Sequence, residues 1–320
     1  MAANAAVTDL ALRLPTVPVT LIESRALSEY LGTRITLASE TFQHTGSFKF
    51  RAAYNVAANV PHQKLITASS GNFGQALAYA CKLLKKHCIV VMPATSAKIK
   101  IAAVRSHGAE VELVDTKVKS RAERLAEVAA QHPDAYLTSA YDDALVIDGN
   151  STLGTELAGT GQSWDCIVVP VGGGGLISGL ARGLRRAGDK TEIIGAEPAL
   201  GNDAARSLRS GQLVKNTSEP LTIADGARTL SLGQRNWEII RDEVSDILEV
   251  AEDAIAEAVR LLFRYANLKV EPTGALSVGA VFQHRPKFES RKVCCVISGG
   301  NVDPLVYAQL LAEGEQEKRG

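Results

Sequence analysis

Short runs of apolar, β-branched residues alternate with helical patterns along most of this chain. Residues 65–69 (LITAS), 88–92 (CIVVM), 111–114 (VELV), 135–138 (AYLT), 166–171 (CIVVPV), 192–196 (EIIGA), 247–250 (ILEV) and 293–297 (VCCVI) read as strands. They are apolar throughout, the pattern of strands covered on both faces. Helical periodicity fills the intervals. Residues 120–132 open with a capping box, Ser120 and Glu123, and set Leu125, Val128 and Ala129 on one side. Residues 252–266 place Ile255, Val259, Leu262, Phe263 and Ala266 on one stripe. The repeated β–α order predicts an α/β protein with open, mostly parallel twisted sheets and helices on both faces.

Two β–α blocks stand out. One runs from about residue 64 to 143 and holds four strand–helix units; the other follows LTSAYDD and continues to the end. Residues 1–53 contain the strand-like ITLAS but too few elements to fold alone, so they are expected to join the second block. The predicted division is a large unit, 1–53 with 144–320, and a small inserted α/β unit, 54–143. No repeat, low-complexity segment or long linker interrupts them.

Charge narrows the possible partners. Lys plus Arg and Asp plus Glu both number 35 among 320 residues, so there is no positive field to hold nucleic acid or an anionic membrane. No apolar run approaches the roughly 20 residues needed to cross a bilayer, and the start lacks the pattern of a secretory signal. The five cysteines are odd in number and form no CxxC, which fits buried free thiols in a reducing cytoplasm. The scattered histidines offer no standard zinc site.

Candidate chemistry gathers in loops that follow strands, where open α/β sheets bind ligands. Ser69-Ser70-Gly71-Asn72-Phe73-Gly74 offers close backbone approach, hydroxyls and an amide before a helix; an ordinary capped turn is the competing reading. Gly172 to Gly175 lie between CIVVPV and LISGLARGLRR, leaving no room for a linker, and read as a phosphate nest at a helix start. They match neither the Walker nor the GxGxxG pattern. Ser298-Gly299-Gly300-Asn301 is a polar loop after an apolar strand, a weak signal alone. Lys49 lies between Phe48 and Phe50. A lone lysine is usually solvated, but one held against apolar neighbours loses affinity for its proton and suits Schiff-base chemistry. Glu197 and Asp203, after EIIGA, are either a hard-cation pair or helix-capping acids.

Taken together, these pieces resemble the tryptophan-synthase-β-like (fold type II) enzymes that use pyridoxal 5′-phosphate (PLP), and within them the serine/threonine dehydratase and serine racemase family. The matching segments are GSFKFRAA, SSGNFGQALAYA, VVPVGGGGLISGLA, GAEP with the acid six residues after Glu197, TIADGA, EIIRDEV, VEPTGA and VISGGNVD, in order from about residue 41 to 303. The resemblance implies that Lys49 binds the cofactor covalently, with Phe48 beside its ring. It implies Gly172, Gly173, Gly174 and Gly175 at the phosphate, Asn72 at the 3′-oxygen and Ser298 at the pyridine nitrogen. Ser69, Ser70, Gly71 and Asn72 would surround the substrate carboxylate, with Ser70 also the base on the second face. Glu197, the carbonyl of Gly201 and Asp203 match a divalent-cation site for Mg²⁺, Mn²⁺ or Ca²⁺.

The implied activity is an ammonia-lyase (dehydratase) removing water from a 3-hydroxy amino acid such as serine, threonine, 3-hydroxyaspartate or 3-phenylserine. An amino-acid racemase is the alternative. A β-replacement enzyme and a catalytically silent regulator on the same fold are weaker ones. The expected assembly, by the same resemblance, is a homodimer. The chain departs from serine racemase at Ala68, Phe73 and Ala140. These changes make the pocket less polar and leave room for another 3-hydroxy amino acid.

Overall fold

The computed structural model describes residues 15–69, 71–96 and 98–316. Its strands are β1 (Thr20–Glu23), β2 (Arg34–Ser39), β3 (Lys64–Ala68), β4 (His87–Pro93), β5 (Glu110–Val114), β6 (Tyr136–Leu137), β7 (Cys166–Pro170), β8 (Glu192–Pro198), β9 (Asp246–Val250) and β10 (Lys292–Ile297). The helices are α1 (Arg25–Leu31), α2 (Lys49–Asn59), α3 (Asn72–Leu83), α4 (Lys98–Ser106), α5 (Arg121–Gln131), α6 (Ala144–Gly159), α7 (Gly175–Arg186), α8 (Asp203–Ser210), α9 (Gln234–Glu243), α10 (Glu252–Ala266), α11 (Pro272–Gln283), α12 (Arg285–Phe288) and α13 (Pro304–Gln316). They build the α/β architecture that the pattern predicts. Six strands form one sheet in the order β1-β2-β10-β7-β8-β9, and four form another in the order β5-β4-β3-β6. Every pairing is parallel except β1 with β2.

The inner strands of both sheets are covered on both faces, and this is why they are apolar along most of their length. Along β7 and β10 successive residues enter opposite cores. Cys166, Val168, Val293 and Cys295 join one, while Ile167, Val169, Cys294 and Val296 join the other. The smaller sheet repeats the arrangement, with Leu65, Cys88 and Val90 on one side and Ile66, Ile89 and Val91 on the other. The five cysteines are free and buried.

The differences from the sequence pattern have local causes. β1 escapes a search for apolar runs because TLIE is only partly buried and pairs antiparallel at the sheet edge. The strand expected at 135–138 shortens to two residues, which pair with β3. On α10, Ile255, Val259 and Leu262 face the core as expected. Phe263 does not: it is 51% exposed and its ring stands edge-on to Tyr307 of α13, 6.2 Å between centres.

One helix contact positions the glycine turn. α6 and α7 cross closely because glycines meet backbone. A Cβ on Gly183 would lie 2.0 Å from the Ser151 carbonyl oxygen, and one on Gly154 would lie 2.2 Å from that of Leu180. This crossing holds the amino end of α7 beside the segment that joins β6 to α6. Among the described residues, no helix is long and apolar enough to cross a membrane.

Candidate active site

Lys49 opens α2, and the chain reaches it through a tight turn. Thr45 and Gly46 both adopt left-handed backbone angles, with φ of 60° and 73°. A β-branched residue rarely does so. Ser47 then bridges to Gly299, and the Phe48 N–H donates to the Ser298 carbonyl at 3.0 Å. The loop after β10 is thereby laced to the segment before Lys49. The Lys49 amine donates to the Ala140 carbonyl at 3.0 Å and stands 4.9 Å from the centre of the Phe48 ring and 5.8 Å from that of Phe73. Burial lowers its pKa to about 8, against a smaller upward pull from Glu271.

The helix start at Asn72 meets Lys49 from the smaller sheet. Ser69 is buried, and its Oγ accepts from the N–H groups of Gly74 (3.1 Å) and Gly71 (3.4 Å). That is the capped turn of the competing reading, and it shapes a helix N-terminus at the same time. Ser70 lies outside the described residues. The Asn72 side chain donates to Glu271 Oε1 at 2.7 Å and accepts from Asn301 Nδ2 at 2.9 Å. Asn301 also donates to the Thr45 carbonyl at 2.7 Å. Glu271 is buried, and its pKa rises to about 7, first from burial and then from the charge of Asp225.

The four glycines follow β7 and lead into α7. Gly174 has φ of 90°, which a side chain would resist. Neighbours fill the space that side chains would need. A Cβ on Gly173 would lie 2.4 Å from the Tyr141 ring, and one on Gly172 would lie 3.0 Å from the Ala227 Cα. Asn236 donates to the Gly173 carbonyl at 2.8 Å and Asn150 to the Gly175 carbonyl at 3.0 Å. With those carbonyls held away, the turn presents N–H groups and a helix N-terminus, the requirements of an anion nest. Ser298 is 2% exposed and precedes Gly299, whose carbonyl accepts from the Glu271 N–H at 3.2 Å.

Residues 12–299 match the family described as pyridoxal-phosphate dependent enzyme. The chain belongs to that family. This PLP-dependent enzyme is 37% identical over 299 residues to an L-threo-3-hydroxyaspartate ammonia-lyase of Saccharomyces cerevisiae, covering 92% of this chain and 91% of the other. It is 36% identical to the serine racemase of Mus musculus, covering 88% and 86%. The crystal structure of a T.th. threonine deaminase superposes with a TM-score of 0.87 at 39% identity, covering 95% of this chain and 98% of that one. The structure of maize serine racemase gives 0.89 at 28% identity, covering 99% and 98%. The neighbours share the type II PLP fold.

The residues of this PLP-dependent enzyme fit the cofactor. An amine with a depressed pKa suits condensation with an aldehyde. The glycine turn suits a phosphate. Ser47 Oγ, two residues before Lys49 and beside Gly299, is buried without a partner among the described residues, as expected of a wall built around a polar group. Glu271 and Asn301 lie inside the matching segments VEPTGA and VISGGNVD, yet neither residue has a role implied by the resemblance. The available signal for Glu271 was a carboxylate set between apolar Val270 and a proline that opens a helix.

Glu197 and Asp203 come together at the end of β8, away from Lys49 in sequence. Both are buried. The Glu197 carboxylate accepts from the N–H groups of Ala204 (3.0 Å) and Ala205 (2.9 Å), so it caps α8. Asp203 Oδ1 accepts from Asn216 at 2.8 Å, while Oδ2 is buried without a partner among the described residues. Burial, then the Asp203 charge, raises the Glu197 pKa well above its usual value. Burial raises that of Asp203 to about 6. Gly201 is buried beside Pro220. An orphan carboxylate oxygen of one buried acid beside a second fits a hard cation, although no cluster of three or more acidic, His or Cys ligands occurs among the described residues.

Proposed function

We propose that this enzyme is an ammonia-lyase that removes water from a 3-hydroxy amino acid and releases a 2-oxo acid and ammonia. The observation that carries this reading is the enclosed Lys49 amine, held on the Ala140 carbonyl between Phe48 and Phe73 and within the field of Glu271. Similarity to the named ammonia-lyases and to threonine deaminase supports it. Serine, threonine, 3-hydroxyaspartate and 3-phenylserine are the candidate substrates.

The residues divide the work. Lys49 would hold PLP, with Phe48 beside its ring, Gly172 to Gly175 at its phosphate, Asn72 at its 3′-oxygen and Ser298 at its pyridine nitrogen. When bound, PLP acts as an electron sink for an amino-acid Cα. Ser69, Gly71 and Asn72, with Ser70, would receive the substrate carboxylate at a helix N-terminus. With burial lowering its pKa to about 8, the Lys49 amine would be the group that takes a proton from the substrate Cα. Ser298 would give the pyridine nitrogen a neutral partner, which would favour loss of a β-hydroxyl over a long-lived carbanion. Racemisation is the second reading, favoured by the similarity to serine racemases and by a serine at position 70.

Further parts of the proposal concern the whole chain. Its large unit would comprise 1–53 and 144–320 and its small unit 54–143, since the strands of the four-stranded sheet all lie between Lys64 and Leu137. Glu197, Gly201 and Asp203 would hold Mg²⁺, Mn²⁺ or Ca²⁺. A homodimer rests on family resemblance, and a cytoplasmic location on the five free cysteines.

The test combines a spectrum with an assay. Purified enzyme should show a visible imine band and release 2-oxo acid from at least one 3-hydroxy amino acid. Lys49→Ala should lose the band and at least about 10²–10⁴-fold in turnover, the range of a positioned proton-transfer group. A variant that kept both would refute the assignment.

A further inference from the structure

A cation reaches the site from the smaller sheet's side and has no part in the chemistry assigned to Lys49. Lys100 lies in the first turn of α4, and its Nζ donates to Asp225 Oδ2. Asp225 opens the 3-10 turn Asp225–Ala227. That turn is a wall of the active site. A Cβ on Gly172 would lie 3.1 Å from the Gly226 carbonyl oxygen. The Gly226 N–H donates to Thr273 Oγ1 at 2.9 Å, at the start of the helix that Glu271 begins. Lys100 is therefore held at the edge of the site, beside the turn that packs on the glycines and close enough to Glu271 for its charge to be felt there. Its side chain is 25% exposed, so it is neither a solvated surface group nor a buried one.

An ammonium has three donors. Asp225 takes one of those of Lys100, which leaves donors for an acceptor inside the site. Serine and threonine carry no negative group beyond the α-carboxylate and give such a cation only a neutral hydroxyl. A substrate with a second carboxylate gives it a charged acceptor. Without Lys100 nothing would offset the charge of Asp225 beside such a carboxylate, and like charges repel. We propose that Lys100 is a specificity-determining residue that binds the distal carboxylate of a dicarboxylic 3-hydroxy amino acid while sharing its charge with Asp225. This rests on the amino-acid lyase reading and names its substrate class.

Two amino acids without a 3-hydroxyl separate the two claims. L-Aspartate and L-alanine differ by the distal carboxylate, and neither can lose water. Their dissociation constants are measured by titration calorimetry on the PLP-loaded enzyme. L-Aspartate should bind more tightly than L-alanine. Lys100→Met should weaken L-aspartate by about tenfold or more, the value of a charge-assisted hydrogen bond, and leave L-alanine unchanged. Lys100→Arg should preserve most of the preference. Asp225→Asn should strengthen L-aspartate, because it removes a competitor for the ammonium. An equal loss for both ligands in Lys100→Met would make the pair a structural clasp and overturn the proposal. So would a preference that survives in Lys100→Met but vanishes in Arg121→Met, the cation at the start of α5 that pairs across to Glu219. Tighter binding of L-alanine by the unaltered enzyme would also overturn it, with the lyase reading intact. Binding of neither would overturn both.

Discussion

Lys49 sits where burial and one carboxylate pull in opposite directions, and the balance sets its protonation. Burial is the larger effect and brings its pKa from 10.5 to about 8. Between those values the folded amine is neutral while an unfolded one would be charged, so stability of the cofactor-free protein rises with pH across that window. Only the neutral amine attacks an aldehyde. Mixing cofactor-free protein with PLP should therefore give an imine band whose growth rate climbs with pH and levels off above about 8. An ordinary surface lysine would still be climbing there. Glu271→Gln removes the charge that favours the ammonium, so the midpoint should move to lower pH; a move upward would contradict this balance. The burial of Lys49 was one of two readings open to the sequence, and the flanking phenylalanines that favour it are local. The tie of Asn72 to Glu271 and Asn301 was not legible there, since 199 and 229 residues separate the partners. No periodicity reports a contact at that range.

At the scale of elements, the strands were read correctly wherever both faces are covered, because burial alone makes an apolar run. The pattern failed at β1, where an edge position leaves the strand half-polar. The capping box of α5 was legible, since Ser120 and Glu123 satisfy one another's backbone within a single turn. The approach of α6 to α7 was not, because GLISGLARGL reads as an ordinary amphipathic helix until Gly179 and Gly183 are seen against Asn150 and Ser151. Gly183→Val should force the two helices apart and cost about 1–3 kcal/mol, read as a lower urea midpoint. Imine absorption should weaken as well, since α7 carries the glycine turn. The end of β8 supports a prediction with a sign. Glu197 and Asp203 are buried together with one oxygen unpartnered. If a cation holds them, a chelator should lower the melting temperature, Mg²⁺ should restore it, and Asp203→Asn should be less stable and blind to both. If none does, Asp203→Asn relieves repulsion and should be more stable than the parent.

The whole molecule is fastened around one arginine. Arg51, two residues after Lys49, is fully buried. It donates to Glu40 at the end of β2 (2.7 and 2.8 Å) and to Glu156 on α6 (2.6 and 2.8 Å), with Thr152 as a further acceptor at 3.0 Å. Glu156 in turn accepts from the Val19 N–H at 2.9 Å. The helix that begins with Lys49 is thus bound at once to the larger sheet, to α6 and to the chain before β1. Two carboxylates share one guanidinium, so its removal strands more charge than it removes. Arg51→Met should cost about 3–5 kcal/mol, the usual result of leaving one side of a buried ion pair alone. The two acids should not contribute equally. Glu40 is 1% exposed and cannot reach water, whereas Glu156, at 19%, can turn outward. Adding Glu40→Gln to Arg51→Met should therefore recover part of the loss in a denaturant titration, and adding Glu156→Gln should recover less. Equal recovery from both would mean that the arginine network carries its charges closer to solvent than its burial implies.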